Sequence, residues 1–269
     1  MPRWKTAVIT GGARGLGAGF VEVLRAQGTE VVVSDVREDA LRDYVDALPP
    51  GPAAHAIPCD VSSPEQVQAL HDAALERLGS IDLWVNNAGI AVGGPAETTS
   101  VEAWRRIVDI NLLGVAWGCR AVAPTMMAAG KGHIINVASA AGLVCGPEMA
   151  AYNTTKIAVD GLSRSLALDL APHGVGVTVL CPTFFKTGLI DDAEADERQR
   201  RIVTKLMNKA KLSSADVARA ALNDAARGRL YSVPMFDGRL GWWIRRFFPE
   251  SAGAILRWMF GQVSTRAAR

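Results

Sequence analysis

The stretch Thr10-Gly11-Gly12-Ala13-Arg14-Gly15-Leu16-Gly17 lies between a short apolar run, Trp4 to Thr10, and an amphipathic run, Leu16 to Gln27. Glycines at a strand-to-helix junction allow a tight turn, a close backbone approach to a ligand, and close packing of helix on strand. Free N–H groups at the helix N-terminus then face the turn and attract phosphate. An ordinary turn can carry the same glycines. The strand before and the helix after are the context that reads as a pyrophosphate loop, with Gly11, Arg14, Gly15, Leu16 and Gly17 as contacts. Asp35 ends the next apolar run, about twenty residues further on, where a carboxylate hydrogen-bonds ribose hydroxyls. It also repels a 2′-phosphate, which favours NAD over NADP. Arg14 and Arg37 pull the other way, since either can reach a 2′-phosphate, although solvated loop arginines are commoner.

Outward from this loop the pattern repeats. Glu30 to Asp35, Ala54 to Cys59, Leu83 to Asn86, His133 to Ala138 and Val175 to Cys181 read as strands, several without polar alternation, as strands buried on both faces should. Between them, Asp39 to Leu48, Pro64 to Leu78, Val101 to Ala129 and Ala150 to Pro172 read as helices. Ser63-Pro64 predicts a helix start and Gly79 its stop. Ala215 to Arg227 predicts a further helix, and Leu230 to Val233 a further strand. Right-handed crossovers between such elements imply an α/β fold, a doubly wound parallel sheet of about seven strands flanked by helices. We expect one domain over 1–238, with a charged lid at about 188–212 and a helical tail at 239–269.

Bulk properties narrow the classes. A chain of 269 residues, 49% hydrophobic, suffices for one well-buried core. A net charge of +2 gives no global field toward nucleic acid or membrane. Cys59, Cys119, Cys145 and Cys181 have neither metal-ligand nor disulfide spacing, so no metal is expected and the compartment reads as reducing and cytoplasmic. Near Met1 no signal sequence fits, and no apolar run is expected to reach the ~18 residues of a spanning helix.

Ser139 follows the fifth strand, and Tyr152-Asn153-Thr154-Thr155-Lys156 opens the next helix. Tyr152 and Lys156, four residues apart, share a helical face about 6 Å apart along the axis. A phenol titrates near about 10, too high for a neutral-pH base. A neighbouring ammonium and an oxidised nicotinamide ring would both lower it. Tyr152 can then exchange the alcohol proton while hydride moves, with Ser139 holding the reacting oxygen.

With these residues in view, the sequence resembles the short-chain dehydrogenase/reductase family in its single-domain, Rossmann-like form, over residues 4–236. The resemblance rests on the glycine loop, Asp60-Val61, Asn86-Asn87-Ala88-Gly89, Asn111, Ser139, Tyr152-x-x-x-Lys156, and Pro182 with Thr187. It implies that Asp60 and Val61 bracket the adenine, that Asn87, Ala88 and Gly89 line the cofactor channel, and that Val36 and Pro182 touch the cofactor. Asn111 would interrupt its helix and hold a water linking Lys156 to solvent. Lys156 would hold the nicotinamide ribose, and Phe185 backbone and Thr187 the carboxamide. Thr183 departs from the family, which usually has glycine there.

The resemblance also places a substrate pocket among Ile90, Val92, Leu143, Val144, Met149, Phe184 and Leu189, with Ile202 and Leu206 as further candidates. That lining suits a hydrophobic secondary alcohol or ketone: steroid, terpenoid, aryl or fatty. Glu148 is expected as an exposed acid near the mouth. A homodimer or homotetramer through the long helices is implied. The tail, with Trp242-Trp243-Ile244-Arg245-Arg246-Phe247-Phe248, reads as a packed flap or subunit contact ahead of a membrane-surface anchor. The leading expectation is an NAD-dependent alcohol dehydrogenase. Two alternatives stand beside it: an NADPH-dependent ketone or 3-oxoacyl reductase, and a non-catalytic dinucleotide-binding sensor or scaffold.

Overall fold

β1 (Thr6–Thr10) is buried along its whole length, and its side chains go alternately to two cores. Val8 joins Trp84, Ile134 and Val177 on one face; Ala7 and Ile9 join Leu83, Val85 and Ile135 on the other. This double burial removes the polar alternation of a half-exposed strand. The computed structural model describes residues 3–185 and 197–255. Its sheet adds β2 (Glu30–Ser34), β3 (Ala54–Ala56), β4 (Leu83–Asn86), β5 (Gly132–Val137), β6 (Val175–Leu180) and β7 (Tyr231–Ser232). All pairings are parallel, in the order β3-β2-β1-β4-β5-β6-β7.

One face is covered by α1 (Gly15–Ala26), α2 (Glu38–Asp46) and α9 (Ser214–Ala226), which contribute Phe20, Leu41 and Val217 to its core. The other is covered by α3 (Pro64–Leu78), α5 (Gly114–Ala129) and α7 (Ala150–Leu170), through Leu70, Val122 and Val159. α4 (Val101–Val108) precedes α5, α6 (Ala140–Val144) follows β5, and α8 (Glu197–Asn208) precedes α9. α10 (Phe236–Phe247) follows β7 and packs on α6. Ser63 caps α3 by accepting from the Gln66 amide, and Gly79 ends it in the left-handed region, as the sequence pattern predicts.

Three differences from the sequence reading have physical causes. Periodicity alone gives one regular helix over Val101 to Ala129, whereas a π-helical turn, Asp109–Leu113, separates α4 from α5 at the interruption that the resemblance implied for Asn111. Hydrophobic spacing does not register a one-residue bulge. The same segment is long and apolar enough to cross a membrane, with mean hydropathy 1.3 over the window, contrary to the expectation that no run would qualify. Its Val115, Cys119, Val122 and Met126 are spent against the sheet, so its apolarity is that of a core helix. Finally, α6 was not predicted, because five residues carry too little periodicity.

A buried polar chain ties α7 to the sheet centre. Trp84 Nε1 donates to Asn86 Oδ1, and Asn86 Nδ2 donates to Asn136 Oδ1, at 2.7 and 2.9 Å. Asn136 Nδ2 donates to Ser163 of α7 at 3.0 Å. Gly118 faces this chain: a Cβ there would overlap Asn86 Oδ1 and lie 2.8 Å from Trp84 Nε1. Gly118→Ala is therefore expected to destabilise the fold by about 1–3 kcal/mol, read as a lower urea midpoint at unchanged m-value.

Candidate active site

The sheet order reverses between β1 and β4, and a crevice opens beyond their carboxyl ends, where ligands bind in folds of this type. Asn87 fastens the crevice floor. Its backbone N–H donates to Thr10 Oγ1 at 3.1 Å, and its Nδ2 donates to the Thr10 and Gly11 carbonyls at 2.9 Å each. Gly17 packs so closely on this loop that a Cβ would overlap the Gly11 carbonyl oxygen. The crevice is part of a cavity of about 690 Å³.

Its first half is formed by Gly11, Arg14, Gly15 and Leu16, by Asp35, Val36 and Arg37, by Asp60 and Val61, and by Asn87, Ala88 and Gly89. Gly17 lies behind the loop and does not line the cavity. α1 begins here without a side-chain cap and without an acid in its first turn. Its unsatisfied N–H groups and positive dipole end thus open onto the cavity, the donor set a pyrophosphate needs. Asp35 is buried beside β2, and its Oδ1 accepts from the Arg37 amide at 3.2 Å and Nε at 3.3 Å. The Arg37 guanidinium is therefore turned onto the carboxylate. Asp60 Oδ1 accepts from Ser62 N and Oγ, which fixes the turn after β3. These residues fit a dinucleotide with an adenosine ribose at Asp35.

The second half holds Ser139, Tyr152 and Lys156. Ser139 caps α6 by accepting from the Ala141 amide at 3.1 Å, which presents its Oγ at the end of β5. Tyr152 is buried, and the Ser139 side chain acts on its hydroxyl. Lys156 lies one turn below, with Nζ 5.6 Å from the Tyr152 ring centre and donating to Val137 O at 2.9 Å. Asn111 sits in the π-helical turn, not on the cavity wall. Its Oδ1 accepts from Ile90 N at 2.8 Å and its Nδ2 donates to Ile90 O at 2.9 Å. A Cβ on Gly89 would stand 3.1 Å from Asn111 Oδ1 and 3.7 Å from Lys156 Nζ, so both polar groups flank that backbone.

Burial dominates the electrostatics. It pushes the Tyr152 hydroxyl above its ordinary value, against the downward pull of the Ser139 hydrogen bond. Burial also pulls Lys156 down to about 8. The sequence reading expected the ammonium to lower the tyrosine. In the protein by itself, desolvation is the largest influence on both groups.

Among the substrate-side candidates, Ile90, Val144, Met149 and Phe184 line the cavity. Val92 and Leu143 do not: Val92 packs with Ala103, Ile107 and Ala151, and Leu143 joins the main core. Leu206 is also absent from the lining, where Val203 and Met207 of α8 stand instead. Pro182, Thr183 and Phe185 line it as well. Thr187, Leu189 and the Ile202 side chain lie outside the described residues. Glu148 is exposed and has a φ of 57°, in a loop where Cys145 also has a positive φ of 60°. Such backbone is strained for residues with a Cβ and tends to occur near functional sites.

Sequence reasoning missed Ala91, Arg106 and Ile110, and offered the tail as a flap without naming the α10 residues that line the cavity. Asp237, Leu240, Gly241 and Ile244 line the cavity, spaced i, i+3, i+4, i+7, and that periodicity was the available signal. Thr183 Oγ1 donates to Asp237 Oδ1 at 3.1 Å, and its methyl occupies the space that a Cβ on Gly238 would need. Tyr231 and Trp242 pack with ring centres 4.6 Å apart.

Comparison with known proteins agrees with this geometry. The family model described as short chain dehydrogenase matches residues 5–198. A 3beta-hydroxysteroid dehydrogenase 1 of Eggerthella lenta is 38% identical over 208 residues, 76% of this chain and 79% of that protein. A trans-4-hydroxycyclohexanecarboxylate dehydrogenase of Sinomonas cyclohexanicum is 42% identical over 190 residues, 68% of this chain and 73% of that protein. A short chain dehydrogenase/reductase from Burkholderia phymatum, solved in complex with NAD, superposes with a TM-score of 0.85 at 36% identity, over 90% of this chain and 93% of that one. The chain belongs to the short-chain dehydrogenase/reductase family. It is an oxidoreductase acting on CH–OH groups.

The displaced lysine gives a stability test. Between pH 8 and the ordinary lysine value of 10.5, the unfolded chain binds a proton that native Lys156 has released, so its contribution to stability rises with pH. Below that window the native state carries the cost of a buried ammonium. Subtracting the unfolding free energy of Lys156→Met from that of the natural chain should leave a difference that climbs from pH 8 to 10.5. A flat difference would mean that Lys156 is not perturbed by burial.

Proposed function

We propose that this protein is an NAD-preferring dehydrogenase interconverting a hydrophobic secondary alcohol and its ketone. The observation that carries this is the buried Ser139/Tyr152/Lys156 set on the wall of a cavity whose other end presents an uncapped helix N-terminus and Asp35. A bound nicotinamide dinucleotide supplies the hydride acceptor or donor. Gly11, Arg14, Gly15 and Leu16 would hold its phosphates, and Asp35 its adenosine ribose. Tyr152 Oη takes the hydroxyl proton of the alcohol, or returns it to the ketone. Ser139 Oγ holds the reacting oxygen beside Tyr152, and Lys156 stabilises the phenolate as it forms. Asn111 fixes the backbone at Ile90 beside Lys156.

NAD is favoured because the Asp35 carboxylate lies where a 2′-phosphate would be repelled, and because Arg37 is already engaged by it. The hydrophobic substrate class is supported by the wall of Ile90, Val144, Met149, Phe184, Leu240 and Ile244. Relatives named for hydroxysteroid, cyclohexanol and trans-4-hydroxycyclohexanecarboxylate substrates agree with a ring-bearing alcohol. α10 belongs to this same unit as a flap over the substrate end. A second copy would cover α7, where Ile157 and Leu168 are exposed on one stripe, and the mass in solution distinguishes dimer from tetramer. The four free thiols support a cytoplasmic setting.

Titration with NADH and NADPH, followed by nicotinamide fluorescence, should show tighter NADH binding. Asp35→Ala should erode that preference by about tenfold or more, the worth of a charge-assisted hydrogen bond. Tighter NADPH binding by the natural chain would instead favour the ketone-reductase reading. Tyr152→Phe should lower turnover of a cyclic secondary alcohol by about 10²–10⁴ while leaving cofactor binding intact. Undiminished turnover would remove Tyr152 from the chemistry.

A further inference from the structure

α10 has two apolar stripes, and only one is used. Gly238, Gly241 and Ile244 face α6 and the cavity, where a Cβ on Gly241 would lie 2.8 Å from Val144 Cγ2. Phe236, Trp243 and Phe247 recur at i, i+7 and i+11 on the solvent side, and Leu240, which also lines the cavity, stands at the edge between the two stripes. Phe236 is 71% exposed, Trp243 60% and Phe247 57%. Trp243 and Phe247 stack on each other at 5.1 Å, which organises the stripe without covering it. Phe248, immediately after the helix, is 63% exposed. Arg239 and Arg246 run along one edge of the stripe and are exposed.

This stripe adjoins the cavity mouth. Phe184, Leu240 and Ile255 line the cavity and are also open to solvent, so the mouth has an apolar collar that continues into the aromatic stripe. The charge of this region is also distinct. Between Arg239 and Ile255 stand three arginines, Arg239, Arg245 and Arg246, and one acid, Glu250, while residues 1–238 are net acidic. Aromatic side chains beside arginines, on one end of an otherwise acidic protein, complement a surface that is apolar beneath and anionic above. A second copy could cover this stripe with its own, but a two-fold contact would also bring Arg239 and Arg246 of both copies together.

We propose that the exposed stripe of α10 docks on an anionic lipid surface, with Trp243, Phe247 and Phe248 in the headgroup–acyl boundary and Arg239 and Arg246 on lipid phosphates. Docking in this orientation turns the collar toward the lipid, so a membrane-dissolved alcohol or ketone reaches the cavity without crossing water. The docking itself does not depend on the dehydrogenase reading; the delivery of substrate does.

The test uses the full chain and vesicles of phosphatidylcholine, alone or mixed with phosphatidylglycerol. Sedimentation and tryptophan emission should show binding and a blue shift with the mixed vesicles, weakened by salt. Arg239→Gln with Arg246→Gln should weaken binding by about fivefold per arginine. Trp243→Ser with Phe247→Ser should abolish the blue shift. Turnover of a water-soluble alcohol should be unchanged in both variants, which shows that they fold. Failure of the natural chain to bind mixed vesicles, or binding that survives both variants, overturns the proposal. So does concentration-dependent self-association that only the serine variant loses, which would assign the stripe to a second copy. If vesicles bind as expected but no alcohol turns over, docking stands and the dehydrogenase reading fails.

Discussion

The contact on which the site depends is the fastening of Asn87 to the β1–α1 loop. β1 and β4 are adjacent, yet their following helices leave on opposite faces, so the chain must part just beyond them. Asn87 spans this division with hydrogen bonds to Thr10 and Gly11, and Thr10 Oγ1 also accepts from the Ala88 amide at 3.2 Å. The side chain thereby satisfies backbone groups that the sheet ladder no longer pairs. With the loop held, the N-terminus of α1 stays uncapped and aimed into the cavity, and Gly89 stays against Asn111 and Lys156.

The chemistry is set by a second constraint, the burial of two titratable groups side by side. Lys156 is kept dry by the surrounding helices and held by the Val137 carbonyl. Its depressed value of about 8 places its charge change within reach of ordinary working pH. Tyr152 is pushed the other way by the same desolvation. A positive charge bound beside the pair would favour the phenolate, so substrate-side ionisation and cofactor binding are coupled by electrostatics.

Much of the fold was legible. The order of the elements could be read because double burial makes each strand an apolar run and each crossover helix amphipathic. β4 and α3 fall on the predicted residues. Ser139, Tyr152 and Lys156 could be read because strand end and helix spacing place them on one wall. The π-helical turn at Asn111 was not legible as geometry, since one extra residue per turn leaves hydrophobic spacing almost unchanged. Val92 and Leu143 were assigned to the pocket by position in their loops. Their side chains turn into cores, a choice made by the elements they meet.

The amino-acid sequence by itself determined the strand and helix pattern, the family and the placing of Ser139, Tyr152 and Lys156 on one wall, because these rest on local spacing and on residue chemistry. Tertiary structure alone decided what α10 does with its two apolar faces, which way Arg37 points, and which sign prevails in the pKa of Tyr152. Two of these depend on groups brought together from distant parts of the chain, α10 against α6 and Tyr152 within packed walls, while Arg37 meets Asp35 only two residues away through the backbone conformation that the folded loop adopts. Burial and distance set their energies, and neither is a property of a residue before the chain has folded.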